Sequence, residues 1–166
     1  MGLAHVTQAW FEQETTAFDR LESVLRAKYP TLHAFIVDGQ CRIRGTFAAV
    51  EPDRYALDIA LPGNYPHAMP SVWETGGRIP REIDRHVLVE SSLCLGTPLA
   101  LWIQLGGDYR MERVIDGPLR SFLIGNSLVE EGEPWPYGHR PHGECFSSMC
   151  GRRRCAGTGF ARADVA

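Results

Sequence analysis

Five cysteines are the residues of this chain best suited to covalent chemistry, and their positions divide them into two groups. Three crowd into the C-terminal tail, at Cys145, Cys150 and Cys155. The other two, Cys41 and Cys94, lie in the body of the sequence. Cys41 is in phase with Ile43 in a predicted strand, which indicates a buried and inert thiol. Cys94 is therefore the candidate nucleophile.

The sequence before Cys94 supplies two groups, Arg85 and His86, that could make its thiol reactive, because a cysteine reacts as its thiolate. A thioester on Cys94 would store an activated acyl group and divide one difficult condensation into two easier steps. His86 could then stabilise the oxyanion or accept the proton of the attacking amine. The alternative is that Cys94, between two leucines, is a small buried core residue and that His86 is a structural or surface histidine.

The elements that must position Cys94 begin with a helix. Apolar residues recur at three- and four-residue steps over residues 6–28, which predicts an amphipathic helix that stops before Pro30. Residues 33–37 and 41–50 are rich in β-branched and aromatic side chains. The Asp-Gly pair at residues 38–39 is a strong hairpin signal, so we expect these two strands to pair.

Two more strands follow, at residues 54–61, where apolar and polar side chains alternate, and at residues 71–74. Short links between the four strands favour an antiparallel meander. Residues 78–98 have no sustained period, which predicts a long structured loop around Cys94. Ordered loops of this length are uncommon in compact domains and tend to be functional.

Helical spacing returns over residues 111–128, where the Gly-Pro pair at 117–118 should start or kink the helix. We therefore expect an α+β fold with an N-terminal helix, a four-stranded antiparallel meander, a long active-site loop and C-terminal helices. One domain should span residues 1–143, followed by a Cys- and Arg-containing tail over residues 144–166.

Composition bounds the class of protein. A chain of 166 residues with 44% hydrophobic and 22% charged residues is typical of one globular domain. No run approaches the roughly 18 apolar residues that cross a bilayer, and the N-terminus lacks the pattern of a secretory signal, so we expect a cytoplasmic protein that does not bind membranes. A net charge of −3 argues against a general nucleic-acid binder.

The order of the predicted elements and two short segments resemble ubiquitin-conjugating enzymes, the UBC fold. Residues 65–70, YPHAMP, resemble the Tyr-Pro-x-x-x-Pro segment of that family, and residues 92–96, SLCLG, resemble the segment that holds its catalytic cysteine. The family places an asparagine that stabilises the oxyanion eight residues before the cysteine, where this chain has His86. The family's His-Pro-Asn tripeptide is replaced by DRH at residues 84–86.

The chain is more similar to divergent bacterial members of the fold. RHV at residues 85–87, LCLG at 93–96 and WPYGHRPHG at 135–143 resemble conjugating-enzyme-like proteins encoded in anti-phage operons. Some of these operons encode a cyclic-nucleotide-synthesising enzyme, and the conjugating protein acts on the C-terminus of that synthase. The resemblance covers roughly residues 6–143.

This resemblance implies an antiviral-defence acyltransferase with catalytic Cys94 and His86. It would accept an activated protein C-terminus, from a ubiquitin-like protein or a nucleotidyltransferase, and transfer it to an amine on a target protein. A separate activating enzyme would consume the ATP, so no cofactor is expected; the chain has no glycine-rich phosphate loop of its own. The alternatives are a thiol hydrolase in which Cys94 and His86 form a dyad, with Asp84 a candidate to orient the histidine, and a non-catalytic binding module of the same fold.

The tail offers four potential zinc ligands, His142, Cys145, Cys150 and Cys155. Four such ligands suit a tetrahedral structural site, but zinc motifs prefer closely spaced cysteine pairs, whereas these cysteines are evenly spread. A flexible thiol-bearing tail is the alternative.

Overall fold

A computed structural model describes residues 9–137. They form an α+β structure in which helices come before and after a four-stranded antiparallel sheet in the sequence. The predicted α+β class is confirmed. The elements are α1 (Trp10–Gln13), α2 (Thr15–Lys28), β1 (Leu32–Val37), β2 (Gln40–Val50), β3 (Asp53–Ala60), β4 (Ser71–Glu74), α3 (Pro98–Leu105), α4 (Met111–Val114) and α5 (Arg120–Glu130).

The N-terminal helix is divided in two, a break that the sequence did not predict. Glu14 has an extended backbone, with φ of −129°, and separates α1 from α2. The first helix is held elsewhere: the Trp10 N–H donates to the carbonyl of Gly63 at 3.1 Å, and the indole packs 5.0 Å from the ring of Tyr65. Docking onto the loop after β3 therefore accounts for the separate first turn. The end of α2 at Lys28 agrees with the prediction.

The predicted meander is confirmed, because the strands lie in the order β1-β2-β3-β4 and every pair is antiparallel. Asp38 and Gly39 both have positive φ, 50° and 70°, as a two-residue hairpin turn requires. The alternation in β3 also holds, since its inward residues are buried under the helices. The fully buried side chains shared between sheet and helices include Leu25, Ile43, Tyr55, Leu57, Ile59, Ile115 and Leu119.

The outer face of the sheet carries a cluster of charged and aromatic side chains centred on Asp58. Its two carboxylate oxygens accept hydrogen bonds from Nε of Arg42 at 2.9 Å and Nε of Arg44 at 2.8 Å. The Arg42 guanidinium lies over Trp73 and that of Arg44 over Phe35. Burial raises the pKa of Asp58, but the hydrogen bonds and charges of the two arginines outweigh burial and hold that pKa below its usual range.

Helix α3 was missed from the sequence, although its end signals are present. The Thr97 hydroxyl accepts the N–H of Ala100 at 3.3 Å, Pro98 is the first helical residue, and Gly106 ends the helix with φ of 64°. Nearly every residue of α3 is apolar, so no periodic contrast between two faces could reveal it.

The kink predicted at residues 117–118 is confirmed. Ile115–Leu119 form a π-helical turn between α4 and α5, and Gly117 has non-helical dihedrals, φ −99° and ψ −105°. Pro118 removes one N–H from the helical ladder, which is a common cause of such kinks. The two segments act as one long helix bent over the inner face of the sheet.

Several predictions concern residues outside the range 9–137. The proposed zinc ligands His142, Cys145, Cys150 and Cys155 lie there, as does the expected domain boundary at residue 143. Within the described range, no three His, Cys, Asp or Glu side chains are grouped to hold a metal ion. None of the helices in that range has the length and apolar character of a bilayer-spanning segment.

Replacement of Asp58 by asparagine should lower the free energy of unfolding by about 2 kcal/mol near pH 7, since two charge-assisted hydrogen bonds weaken. A lowered folded pKa stabilises the protein above the unfolded value, near 3.9, and this contribution disappears as pH falls through the folded pKa. Urea unfolding of wild type and Asp58→Asn from pH 3 to pH 7 should thus show a difference that shrinks below about pH 4. The exposed Asp19→Asn is the control, and a pH-independent difference would contradict the assignment.

Candidate functional site

Residues 75–97, between β4 and α3, bring His86 and Cys94 together through the backbone. After a 3-10 turn at Ile83–Arg85, Val87 and Leu93 form an isolated antiparallel bridge. The N–H of Cys94 donates to the carbonyl of His86 at 2.8 Å. The eight-residue offset noticed in the sequence thus corresponds to two positions facing each other across a small hairpin.

The hairpin, residues 86–94, is fixed to the edge of the sheet. The Leu93 N–H donates to the carbonyl of Val72 in β4 at 2.7 Å, and the Trp73 indole N–H donates to the carbonyl of Glu90 at 3.3 Å. At the tip, Ser91 adopts φ of 66° and its N–H donates to Leu88 at 2.8 Å. The backbone on which Cys94 stands is therefore held by the sheet.

The two cysteines in the described part of the chain have opposite surroundings. Cys41 is 0% exposed, and burial, with a smaller effect from the charge of Glu22, raises the pKa of its thiol to about 12. Cys94 is partly exposed. The prediction that Cys41 is buried is confirmed, and the alternative that Cys94 is a fully buried core residue does not hold.

His86 is fixed at both its backbone and its ring. Its φ of 54° lies in the left-handed region, which is uncommon for a residue with a side chain. Its carbonyl accepts the Cys94 N–H. Its imidazole packs against the indole of Trp135, with centroids 4.5 Å apart and planes inclined by 32°. Trp135 comes from the segment after α5, which sequence reasoning had not connected to the site except through the resemblance.

Trp135 is in turn held by α5 and its own segment. Its ring makes edge contacts with Phe122, at 5.5 Å, and with Tyr137, at 5.9 Å. Gly125 lies beneath it, and a Cβ at that position would be 3.1 Å from the indole and 3.2 Å from Tyr137. The close approach therefore depends on a glycine inside α5.

Arg85, which the sequence offered as a neighbour for the thiol, is bonded to α5. Its Nη2 donates to the Oδ1 of Asn126 and lies 3.9 Å from the carboxylate of Glu130. Asn126 is 0% exposed and donates to Tyr55 Oη at 3.2 Å and to Glu130 at 2.9 Å. Arg85 is thus an anchor for the chain just before His86.

The same cluster anchors the start of this segment. Arg78 forms ion pairs with Glu130 and with Asp53, both at 2.6 Å, and its guanidinium lies over the Tyr55 ring. The hydrogen bond from Arg78 is the main reason why the pKa of Asp53 is lowered. Glu130 therefore contacts two arginines, Arg78 and Arg85, of the segment between β4 and α3. This cluster could not be predicted from the sequence, because polar residues spaced along a helix ordinarily face solvent.

An exposed apolar stripe lies on α3, which begins four residues after Cys94. Its members, each more than half exposed, are Leu99, Trp102 and Ile103. Val89, at the hairpin tip, is 97% exposed. Apolar side chains grouped at a surface are typical of contacts with other macromolecules.

Comparison of the sequence with protein-family models gives no match, and no curated protein is similar to it at a significant level. The candidate site therefore rests on the residues and their geometry.

Iodoacetamide should alkylate Cys94 in the native protein at least about 100-fold faster than Cys41, because Cys41 is enclosed and its thiol is protonated at neutral pH. Peptide-level mass spectrometry after timed quenching distinguishes these two sites from the tail cysteines. Alkylation in urea, where both thiols are accessible, is the control. Equal rates in the native protein would contradict the described burial.

Arg85→Ala should lower the free energy of unfolding by about 2 kcal/mol, because it removes the charged hydrogen-bond partner of the buried Asn126 carboxamide and one of the two arginines near Glu130. Chemical denaturation measures this difference. The matched control is Arg81→Ala, four residues earlier and exposed, which should change the value by less than about 0.5 kcal/mol. Equal effects of the two substitutions would show that the Arg85 contacts contribute no stability.

Proposed function

We propose that this protein is a ubiquitin-conjugating-enzyme-like acyl carrier that accepts an activated protein C-terminus on Cys94 and passes it to an amine. One observation carries the proposal: a partly exposed cysteine is held by a backbone hydrogen bond to the histidine eight residues before it. This spacing is the one at which conjugating enzymes place their oxyanion-stabilising residue. The helix, meander and hairpin order supports a UBC-like fold.

The proposed chemistry needs two transfers. In the first, the Cys94 thiolate attacks the thioester carbonyl of a charged activating enzyme, and the sulfur of that enzyme leaves as its thiolate. In the second, a target amine attacks the Cys94 thioester, the tetrahedral oxyanion collapses, and the Cys94 thiolate leaves while the amine loses a proton. His86, opposite Cys94 on the hairpin, is the proposed donor to that oxyanion.

The surface around Cys94 favours a macromolecular substrate. Exposed apolar side chains grouped on a surface are typical of contacts with other macromolecules. The apolar stripe Leu99, Trp102 and Ile103 offers an exposed helix face close in sequence to the thiol. We infer a protein donor, a ubiquitin-like protein or a nucleotidyltransferase C-terminus. The resemblance of residues 85–87, 93–96 and 135–143 to proteins of anti-phage operons is the ground for proposing a role in cytoplasmic antiviral defence.

Charging should produce a thiol-labile adduct on Cys94. The protein is incubated with ATP, a ubiquitin-like protein and an activating enzyme that charges it, and is then run on non-reducing gels. Wild type should form an adduct that dithiothreitol removes, and Cys94→Ala should form none. Cys41→Ala is the matched control and should keep the adduct, because Cys41 is enclosed.

Three results would overturn the proposal. An adduct that persists in Cys94→Ala would place the acyl group elsewhere, for example on a tail cysteine. Absence of an adduct in wild type, while the activating enzyme itself becomes charged, would favour the non-catalytic module. Cys94-dependent hydrolysis of ester or peptide substrates without transfer to amines would favour the thiol hydrolase.

A further inference from the structure

We infer that Trp135 is a positioning residue for His86, and that Gly125 is the feature of α5 that lets the indole reach it. The inference rests on the proposed acyl transfer at Cys94. It goes beyond that proposal because it assigns a role to the segment after α5, which contains no candidate catalytic group in its described part.

The contact between the two rings restricts the orientation of the His86 side chain, which its main-chain geometry leaves open. The left-handed φ and the hydrogen bond from Cys94 fix its main chain, but the terminal torsion of a histidine side chain is broad. An indole 4.5 Å away and inclined by only 32° selects one plane for the imidazole. The indole covers one face of the imidazole, and Nε2 of His86 is shielded from solvent.

The contact between Trp135 and His86 requires a glycine inside α5, at Gly125, where glycine lowers the stability of the helix. Glycine inside a helix is less favourable than alanine, so a structural reason for it is expected. Here a Cβ would lie 3.1 Å from two atoms of the Trp135 ring, closer than ordinary contact. Phe122 and Tyr137 hold the indole from its edges. The indole thus lies between α5 and His86 and transmits the position of the helix to the imidazole.

The orientation of His86 matters because a donor to an oxyanion acts only when aimed at the oxygen that becomes charged. Small misplacements of such groups can slow a reaction by about 10²-fold. Loss of Trp135 should therefore slow transfer from Cys94, and it should do so only while His86 is present.

The test loads Cys94 without the natural donor. The Cys94 thiolate takes the acetyl group from the acetyl thioester of mercaptoethanesulfonate, whose sulfur leaves as its thiolate. The amine of free lysine then takes the acetyl group, loses a proton to solvent and releases the Cys94 thiolate. The limiting rate and the half-saturating lysine concentration are measured for wild type, Trp135→Ala, Trp135→Phe, His86→Ala and the double variant Trp135→Ala with His86→Ala. Peptide-level mass spectrometry reports the acetyl group on Cys94.

Trp135→Ala should lower the limiting rate about 10-fold with little change in the half-saturating concentration. Trp135→Phe should recover most of the rate, because a ring remains to stack on the imidazole. In the His86→Ala background, Trp135→Ala should cause no further loss. An equal loss in both backgrounds would overturn the inference, since Trp135 would then act on the protein without involving His86.

A second variant tests the geometry while both rings remain in the sequence. Gly125→Leu should displace the indole and thereby remove the upfield ring-current shift of the His86 imidazole protons, measured by NMR. Ala27→Leu, at an exposed position of α2, is the control for adding leucine to a helix and should leave the shift unchanged. An unchanged shift in folded Gly125→Leu or Trp135→Ala would overturn the stacking.

Failure of the proposed function looks different. In that case the protein donor never charges Cys94, while the small-thioester cycle and the NMR shifts still report the coupling between Trp135 and His86. If this inference is wrong, the protein donor still charges Cys94, but Trp135→Ala slows transfer equally with and without His86.

Discussion

The buried carboxamide of Asn126 joins the parts of this protein that its candidate site depends on. It accepts from Arg85, donates to the Tyr55 hydroxyl oxygen of β3 and donates to Glu130 on its own helix. Because a shielded polar group is costly unless it is bonded, these elements take up their positions together. The segment before His86 is consequently placed by the last helix, although the two are far apart in sequence.

Local signals in the sequence were sufficient for the sheet. The alternation of β3 and the Asp38-Gly39 turn each act within a few residues, so strand existence, order and pairing could be predicted. Helix α3 could not be found in the same way, because a helix that is apolar on all sides has no periodic contrast. The break at Glu14 depends on the docking of Trp10 at Gly63, a contact between distant residues that local patterns do not record.

The residues of the candidate site likewise fall into those that local sequence patterns predict and those that depend on contacts between distant segments. Cys94 and His86 were singled out by residue type and spacing, and the structure brings their backbones together. Trp135 was noticed only as part of a resemblance, and Asn126 not at all, because their contacts with the segment before Cys94 come from the far end of the described chain. The conjugating activity, its partners and the role of His86 stay predictions.

The shared space between α5 and the segment after it has a consequence for sequence variation. Gly125 and Trp135 occupy one volume, so a side chain gained at the first position must be offset by a smaller ring at the second. Relatives of this protein should therefore show the two positions changing as a pair. Glycine should be retained at position 125 wherever tryptophan is retained at position 135. Alanine should appear at position 125 only where the tryptophan has been lost.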